Sequence, residues 1–176
     1  MGHKCFISFK TEDAYYKKEI QIDEDENYSS LYEKMKVCGL EALLEMLPSY
    51  IEGKLLGEEQ DESLVTKCSK ITKEEEHLSL DYEVDKFLGY VKGLSYTPGG
   101  YLLLDNQIFK ILKASKKNSL VQKEVGQIIS ANKNELVLQL KDGQVNLLEV
   151  QKQGKGRMSY KDFVNGNKNI LNQILK

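Results

Sequence analysis

Apolar and polar residues alternate at the start of the chain and again, five times over, in its second half, with helical spacing between. Cys5 to Phe9 alternates weakly, while Tyr15 to Ile22 puts Tyr15, Lys17, Glu19 and Gln21 on one face and Tyr16, Ile20 and Ile22 on the other. Both predict strands. The acidic run Asp23 to Glu26 breaks the alternation. Beyond it, Leu31, Met35, Leu40, Leu43, Leu44 and Leu47 recur at helical spacing behind a candidate cap at Asn27, Ser29 or Ser30, which predicts a helix facing a core. Gly39 weakens its middle, Pro48 is tolerated as the first residue of a further turn over 49–52, and Gly53 stops it. Two strands and one helix cannot cover their own sheet, so this stretch has the look of the back end of a larger α/β domain.

Residues 57–62 are acidic and predict a solvated loop; Val65 to Lys73 predicts a short strand, and Glu74 to Glu76 a solvated charge run. Asp81 is placed to cap a helix over 82–94, with Val84, Phe87, Leu88 and Val91 on one face and Lys92 in the last turn, where the helix dipole favours a cation. Tyr96-Thr97-Pro98-Gly99-Gly100 is the strongest punctuation in the chain. Strand-like runs follow at 101–104, 107–114, 125–131, 135–141 and 145–151, with turn residues at Asp105-Asn106, Asn132-Lys133-Asn134 and Asp142-Gly143. This predicts a small antiparallel barrel or sandwich. A five-stranded barrel of this size is often of the oligonucleotide-binding type, although fold does not fix function. The last run enters a loop with Gly154, Gly156, Lys152, Lys155 and Arg157, after which Ser159 and Asp162 read as a helix start and Gly166 as its end. Ile170, Leu171 and Ile174 predict a further short helix over 169–175.

Charge changes the picture more than composition does. The 176 residues are 40% apolar and 30% charged, a soluble globular composition. No apolar run approaches the ~20 residues of a membrane helix, and the first ten lack a signal-peptide core, so a cytoplasmic protein with no membrane partner is expected. Cys5, Cys38 and Cys68, odd in number and widely spaced, fit buried thiols in a reducing compartment. Residues 98–176 hold 13 Lys and Arg against 6 Asp and Glu, an excess of seven positive charges; residues 1–97 hold the other 12 against 21, an excess of nine negative, which returns the net −2. The second half therefore suits a polyanion. A lysine-rich solvated surface is the bland alternative. His3 and His77 have no second ligand at metal spacing, so no metal site is expected.

The run Leu147 to Gly166, LLEVQKQGKGRMSYKDFVNG, closely resembles the end of the barrel domain of methionyl-tRNA formyltransferases, where a strand leads into a Gln, a Gly-Lys-Lys-Arg-Met-like turn and an Asp-Phe-x-x-Gly helix. The similarity reaches further. YYKKEIQI, the helix ending in LPSYIEGKL, Gln60, Val65-Thr66 and the stretch Lys70 to Glu75 look like the last strand, last helix and exit segment of the family's catalytic domain. DYEVDKFLGYVKGLSYTPGGY looks like the linker and the beginning of its C-terminal domain. There the family shows an Arg, two prolines around a Trp, and an Ala before a Tyr; this chain has Lys92, Tyr96, Thr97, Pro98 and Gly100.

The resemblance implies an α+β chain: a remnant of the α/β formyltransferase domain over 1–80, a linker helix over 81–97, and a small antiparallel, oligonucleotide-binding-like β-barrel over 98–176 that binds tRNA. The implied partner is initiator methionyl-tRNA. The candidate phosphate contacts are Lys110, Lys113, Lys116, Lys117, Lys152, Lys155, Arg157 and Lys161, with Lys155 and Arg157 foremost. The family transfers formyl from 10-formyltetrahydrofolate with an Asn, a His and an Asp. The Asn and His belong to a front half outside these residues, and the Asp of an Asp-Thr-Gly falls, counting back from KKEIQI, within Lys10-Thr11-Glu12, so Lys10 inherits no role. The family's Ser-Leu-Leu-Pro loop is also absent. Formyl transfer needs a donor pocket, an acid/base pair and an oxyanion stabiliser, and no motif supplies them. The expectation is thus a truncated transferase that keeps the tRNA-positioning domain, binds no cofactor alone and is inactive alone, with exposed apolar surface in its first ~80 residues. The alternative is one chain of a split, active transferase whose catalytic half is a separate chain; the run Met1 to Lys10, where the family pattern fails, fits a frameshift. A sugar amine formyltransferase relative is disfavoured by the basic loop and barrel.

Overall fold

The computed structural model describes residues 3–10, 13–59, 61, 63, 66, 69–119 and 123–176, and the chain divides into two units, Met1–Lys70 and Ile71–Lys176.

In the first unit the alternating runs form β1 (His3–Lys10) and β2 (Asp13–Ile22), paired antiparallel with His3 opposite Ile22. α1 (Tyr28–Ile51) begins at Asn27, whose side chain accepts from the Ser30 N–H at 3.1 Å while the Ser30 hydroxyl accepts from the Asn27 N–H at 3.1 Å. That reciprocal pair satisfies two N–H groups that helix geometry leaves unbonded. The helix runs through Pro48 without restarting and stops before Gly53, which adopts φ 67°. β3 (Glu58–Glu59) pairs with β2, so the expected acidic loop contains a short strand. α1 lies on β2 through Ala42 and Met46, which are buried. Leu40, Leu43, Leu44 and Leu47, assigned by their spacing to a core, are exposed. Exposed polar contacts supplement that narrow apolar seam: Lys18 reaches Glu41 at 3.0 Å and Glu45 at 2.9 Å, and the Tyr16 hydroxyl donates to Glu45 at 2.5 Å.

The second unit opens irregularly. Of the strand expected over 65–73, positions 65, 67 and 68 lie outside the described residues, and 69–72 have no regular structure. α2 (Val84–Gly93) is flanked by Glu83, with no side-chain cap from Asp81. Its Val84 N–H instead donates to the Asp142 carboxylate at 2.9 Å, from the turn 58 residues away. Val84, Phe87, Val91 and Leu94 are buried in the same cluster as the sheet residues, as is Leu78. The helix expected to be a connector over 81–97 is therefore part of the second unit's core, because its apolar stripe packs with the sheet.

The sheet contains β4 (Tyr101–Leu104), β5 (Gln107–Lys117), β6 (Ile128–Ala131), β7 (Leu136–Gln139), β8 (Gln144–Lys152) and β9 (Met158–Ser159), followed by α3 (Tyr160–Gly166). The order is β4-β5-β8-β7-β6, with β9 on β8, all antiparallel. Asp105 and Asn106, at φ 51° and 62°, make the two-residue hairpin between β4 and β5. The helix expected over 169–175 does not form. Residues 172–176 run between the two outer strands: the Lys176 N–H donates to Leu103 O at 3.0 Å, the Ile128 N–H to Gln173 O at 2.8 Å, and the Leu175 N–H to Gly126 O at 2.8 Å. Both outer strands thus find partners in one segment, which spans the gap in a curled sheet. Inside, Phe109 and Phe163 meet at 5.1 Å among Leu102, Ile111, Leu138 and Leu147, all essentially fully buried. Each such side chain contributes roughly 1.5–3 kcal/mol of transfer free energy.

Candidate functional site

β8 leaves the sheet after Lys152 and the chain rejoins it at β9, with Met158 opposite Val150 and Ser159 opposite Glu149. The loop between, residues 153–157, is pinned at both ends. The Gln153 N–H donates to Ile108 O at 2.9 Å and the Ile108 N–H returns a bond to the Gln153 side chain at 3.0 Å. The Gln151 amide donates to the Lys155 carbonyl at 2.8 Å, and the Lys155 N–H donates to Lys152 O at 3.0 Å. Gly154 takes φ 72°, where a side chain would strain the turn. On the far side Ser159 caps α3, accepting from the Asp162 N–H at 3.2 Å and donating to its carboxylate at 2.7 Å. A loop tied in this way holds the backbone that carries Lys155 and Arg157, so an anionic ligand need order only side chains and not the loop.

Glu149 and Gln151 flank the buried Val150 on β8 and so share the outward face of the strand, opposite Lys113 and Lys110 of β5 respectively. Arg157 lies over the Tyr96 ring at 5.1 Å, with its Nε 3.9 Å from Glu149, and the Tyr96 hydroxyl donates to the same carboxylate at 3.0 Å. Burial, then the bond to Glu149, raises the Tyr96 hydroxyl above the usual tyrosine range. Tyr96 sits at φ 61°, a left-handed backbone uncommon for a residue with a side chain. Lys110 donates to Pro98 O at 2.5 Å. Lys113 and Lys155 are exposed and, among the described residues, make no side-chain hydrogen bond or ion pair.

The eight cations expected to act together do not share one surface. Lys110 and Lys113 on β5 stand opposite Gln151 and Glu149, the Gln151 amide holds the Lys155 carbonyl, and Arg157 lies 3.9 Å from Glu149, which brings these four cations to one side of the sheet and its loop. Lys116 is ion-paired with Asp85 of α2 at 2.8 Å, and Lys117 with Glu135. The Lys117 bond, then one to Ser130, holds the Glu135 carboxyl below the usual range. Lys152 donates to Asn167 at 3.0 Å and lines a cleft with Asp105, Asn165 and Lys168, away from Gln151. Lys161 is exposed on α3, 5.9 Å from the ring of Tyr160. Tyr96 and Glu149, which steady Arg157, are additions from the structure; the only trace of the first in the sequence is an aromatic at a Pro/Gly turn. His77 stacks on Tyr101 at 5.0 Å, its Nε2 3.2 Å from Lys176 O. No helix among the described residues is long and apolar enough to cross a membrane.

The family described as "Formyl transferase, C-terminal domain" matches residues 70–168. A methionyl-tRNA formyltransferase of Lactobacillus acidophilus is 36% identical over 155 residues, 88% of this chain and 49% of that protein. One from Dictyoglomus turgidum is 36% identical over 156 residues, 87% of this chain and 50% of that protein. The chain spans about half the length of the curated relatives it matches. Among solved structures, HypX from Aquifex aeolicus in complex with tetrahydrofolic acid aligns with a TM-score of 0.68 over 92% of this chain and 29% of that one, at 13% identity, a likeness of fold alone.

Proposed function

From the premise that the chain belongs to the formyl transferase family through its C-terminal domain, we propose that its second unit binds and positions tRNA, initiator methionyl-tRNA foremost, using the outward face of β5 and β8 and the loop 153–157. The observation that carries this is the group of Lys110, Lys113, Lys155 and Arg157 on a loop and sheet whose backbone is pinned. Such contacts track phosphates and set register without reading bases. The curled sheet would then serve as oligonucleotide-binding barrels do, through a face of strands and adjoining loops. Lys116 and Lys117 drop out of the proposed contact set, because each is hydrogen-bonded to a carboxylate, whereas Arg157 stands 3.9 Å from Glu149.

The first unit fits the end of a formyltransferase α/β domain. Catalysis would need an Asn and a His from polypeptide outside these residues and an Asp where this chain has Lys10-Thr11-Glu12, so the 176 residues by themselves position RNA without transferring formyl. A second reading is that a separate chain supplies that half; an upstream reading frame encoding the Asn and His would support it.

The test is a titration of fluorescent tRNA by anisotropy at several salt concentrations. Lys155→Ala/Arg157→Ala should weaken binding and flatten the log-log salt slope by roughly 0.7–0.9 per lost contact, whereas Lys116→Ala/Lys117→Ala should leave the slope unchanged. Equal effects from both pairs would remove the proposed face.

A further inference from the structure

Glu149 has a cation to either side: Lys113 opposite it on β5, and Arg157, one residue before β9. Its two oxygens are used differently. Oε2 accepts from the Tyr96 hydroxyl at 3.0 Å, whereas Oε1 stands 3.9 Å from Arg157 Nε, beyond hydrogen-bond reach. The residues across from Glu149 on the neighbouring strands leave Oε1 unfilled among the described residues. Lys113 makes no side-chain hydrogen bond or ion pair there, and the Ser159 hydroxyl, opposite on β9, donates to Asp162. The Glu149 side chain is 25% exposed, so Oε1 is a hydrogen-bond acceptor within reach of a ligand. Arg157 makes no hydrogen bond among the described residues and is 66% exposed, so its donors are available beside that acceptor.

A nucleic-acid phosphate offers oxygens that accept hydrogen bonds and none that donate. A carboxylate set among phosphate-binding cations therefore opposes the ligand, unless the same backbone also carries a donor. The ribose 2′-hydroxyl is such a donor: it lies between consecutive phosphates of RNA, is displayed along the shallow minor groove of a double-stranded stem, and is absent from DNA. We propose that Glu149 is a specificity-determining residue that accepts a ribose 2′-hydroxyl at Oε1 while Lys113 and Arg157 meet the phosphates on either side of it. The face then selects RNA over a backbone of equal charge that lacks the hydroxyl. Tyr96 is a positioning residue: its hydroxyl holds the carboxylate by one oxygen and leaves the other to the ligand. This inference rests on the proposed binding of RNA by this face and adds which backbone chemistry the face requires.

Fluorescence anisotropy of the full chain with a synthetic RNA duplex, and with the same duplex carrying 2′-fluoro at every ribose, tests it. Fluorine keeps the A-form helix and its charge and removes the donor. The unaltered chain should prefer the hydroxyl duplex on the order of tenfold, the usual effect of one hydrogen bond to a charged group. Glu149→Met, similar in length and without the acceptor, should bring that preference close to unity and bind the fluoro duplex more tightly than the unaltered chain does. Tyr96→Phe, which keeps the ring beneath Arg157, should lower the preference a few-fold. Lys155→Ala, a loss of phosphate contact alone, should weaken both duplexes by the same factor. Equal affinity of the unaltered chain for the two duplexes contradicts the proposal. So does a Glu149→Met chain that binds both duplexes more weakly with their ratio kept, the result if Glu149 only holds Arg157 in place. If tRNA binds and neither duplex does, the ribose assignment falls while the RNA role of the face stands; if tRNA does not bind either, both fall.

Discussion

The two units solve the problem of burial differently. The first has the longer helix, 24 residues with a complete capping box, and among residues 15–59 places only Ile20, Ala42 and Met46 in a hydrophobic interior. The second has a helix of ten residues with no side-chain cap of its own, yet Val84, Phe87 and Val91 enter a core of nineteen residues. Local helix chemistry is stronger where the fold is thinner. Tertiary burial therefore decides which unit stands alone, and a good cap worth about 1 kcal/mol cannot replace several buried side chains worth ~1.5–3 kcal/mol each. The contrast extends to surface chemistry: ion pairs in the first unit knit α1 to β2, whereas Lys113 and Lys155 in the second are held out with nothing of their own to neutralise.

The sharpest way to break this contrast is to empty a position in each core. Phe163→Ala should cost about 3–5 kcal/mol in chemical denaturation, because Phe163 is fully buried against Phe109. Leu44→Ala, on the exposed face of α1, should cost under about 0.5 kcal/mol. Comparable losses would mean that the first unit carries a core of its own.

Next comes the closure of the sheet. Gly126 adopts φ 86°, and a Cβ there would stand 2.4 Å from the Leu175 carbonyl. Gly126→Ala should destabilise by more than about 1 kcal/mol and speed amide exchange at Leu103 and Ile128, which the strap protects. If those amides keep their protection, the strap does not hold the two strands.

A smaller effect is expected at the start of α3, where Ser159→Ala removes the cap and should cost about 1 kcal/mol. The smallest is a pH effect at Glu135. Its carboxyl is held below the usual range by Lys117, so the folded state binds its proton less tightly than the unfolded chain. That stabilisation is present above the ordinary glutamate range and is lost as pH falls through the depressed folded value. Glu135→Gln should flatten the acid limb of the stability profile by under about 1 kcal/mol and leave the neutral limb's shape unchanged.

What the sequence discloses follows the range of each interaction. Tyr101–Leu104 and its Asp105-Asn106 turn are legible because the turn's φ demands are met by adjacent residues. The loop and the cap at Ser159 are legible for the same reason. The start of α2 is not, since its first N–H is accepted by Asp142 rather than by the nearby Asp81. Nor is the segment 172–176, whose spacing suits a helix but whose N–H and C=O groups are claimed by two strands distant in sequence. The set of cations divides in the same way. Lys155 and Arg157 sit on one loop and are found together, whereas Lys116 and Lys117 meet carboxylates 31 and 18 residues away that no local pattern announces.

The central claim, that RNA is held by the second unit's outward face and not by the first unit, is tested most directly by amide hydrogen exchange of the full chain with and without tRNA. The account predicts slowed exchange across 108–113, 149–159 and the turn at 96–100, with 28–51 unchanged. Slowing confined to α1, or none around Lys155 and Arg157 under saturating tRNA, would contradict it.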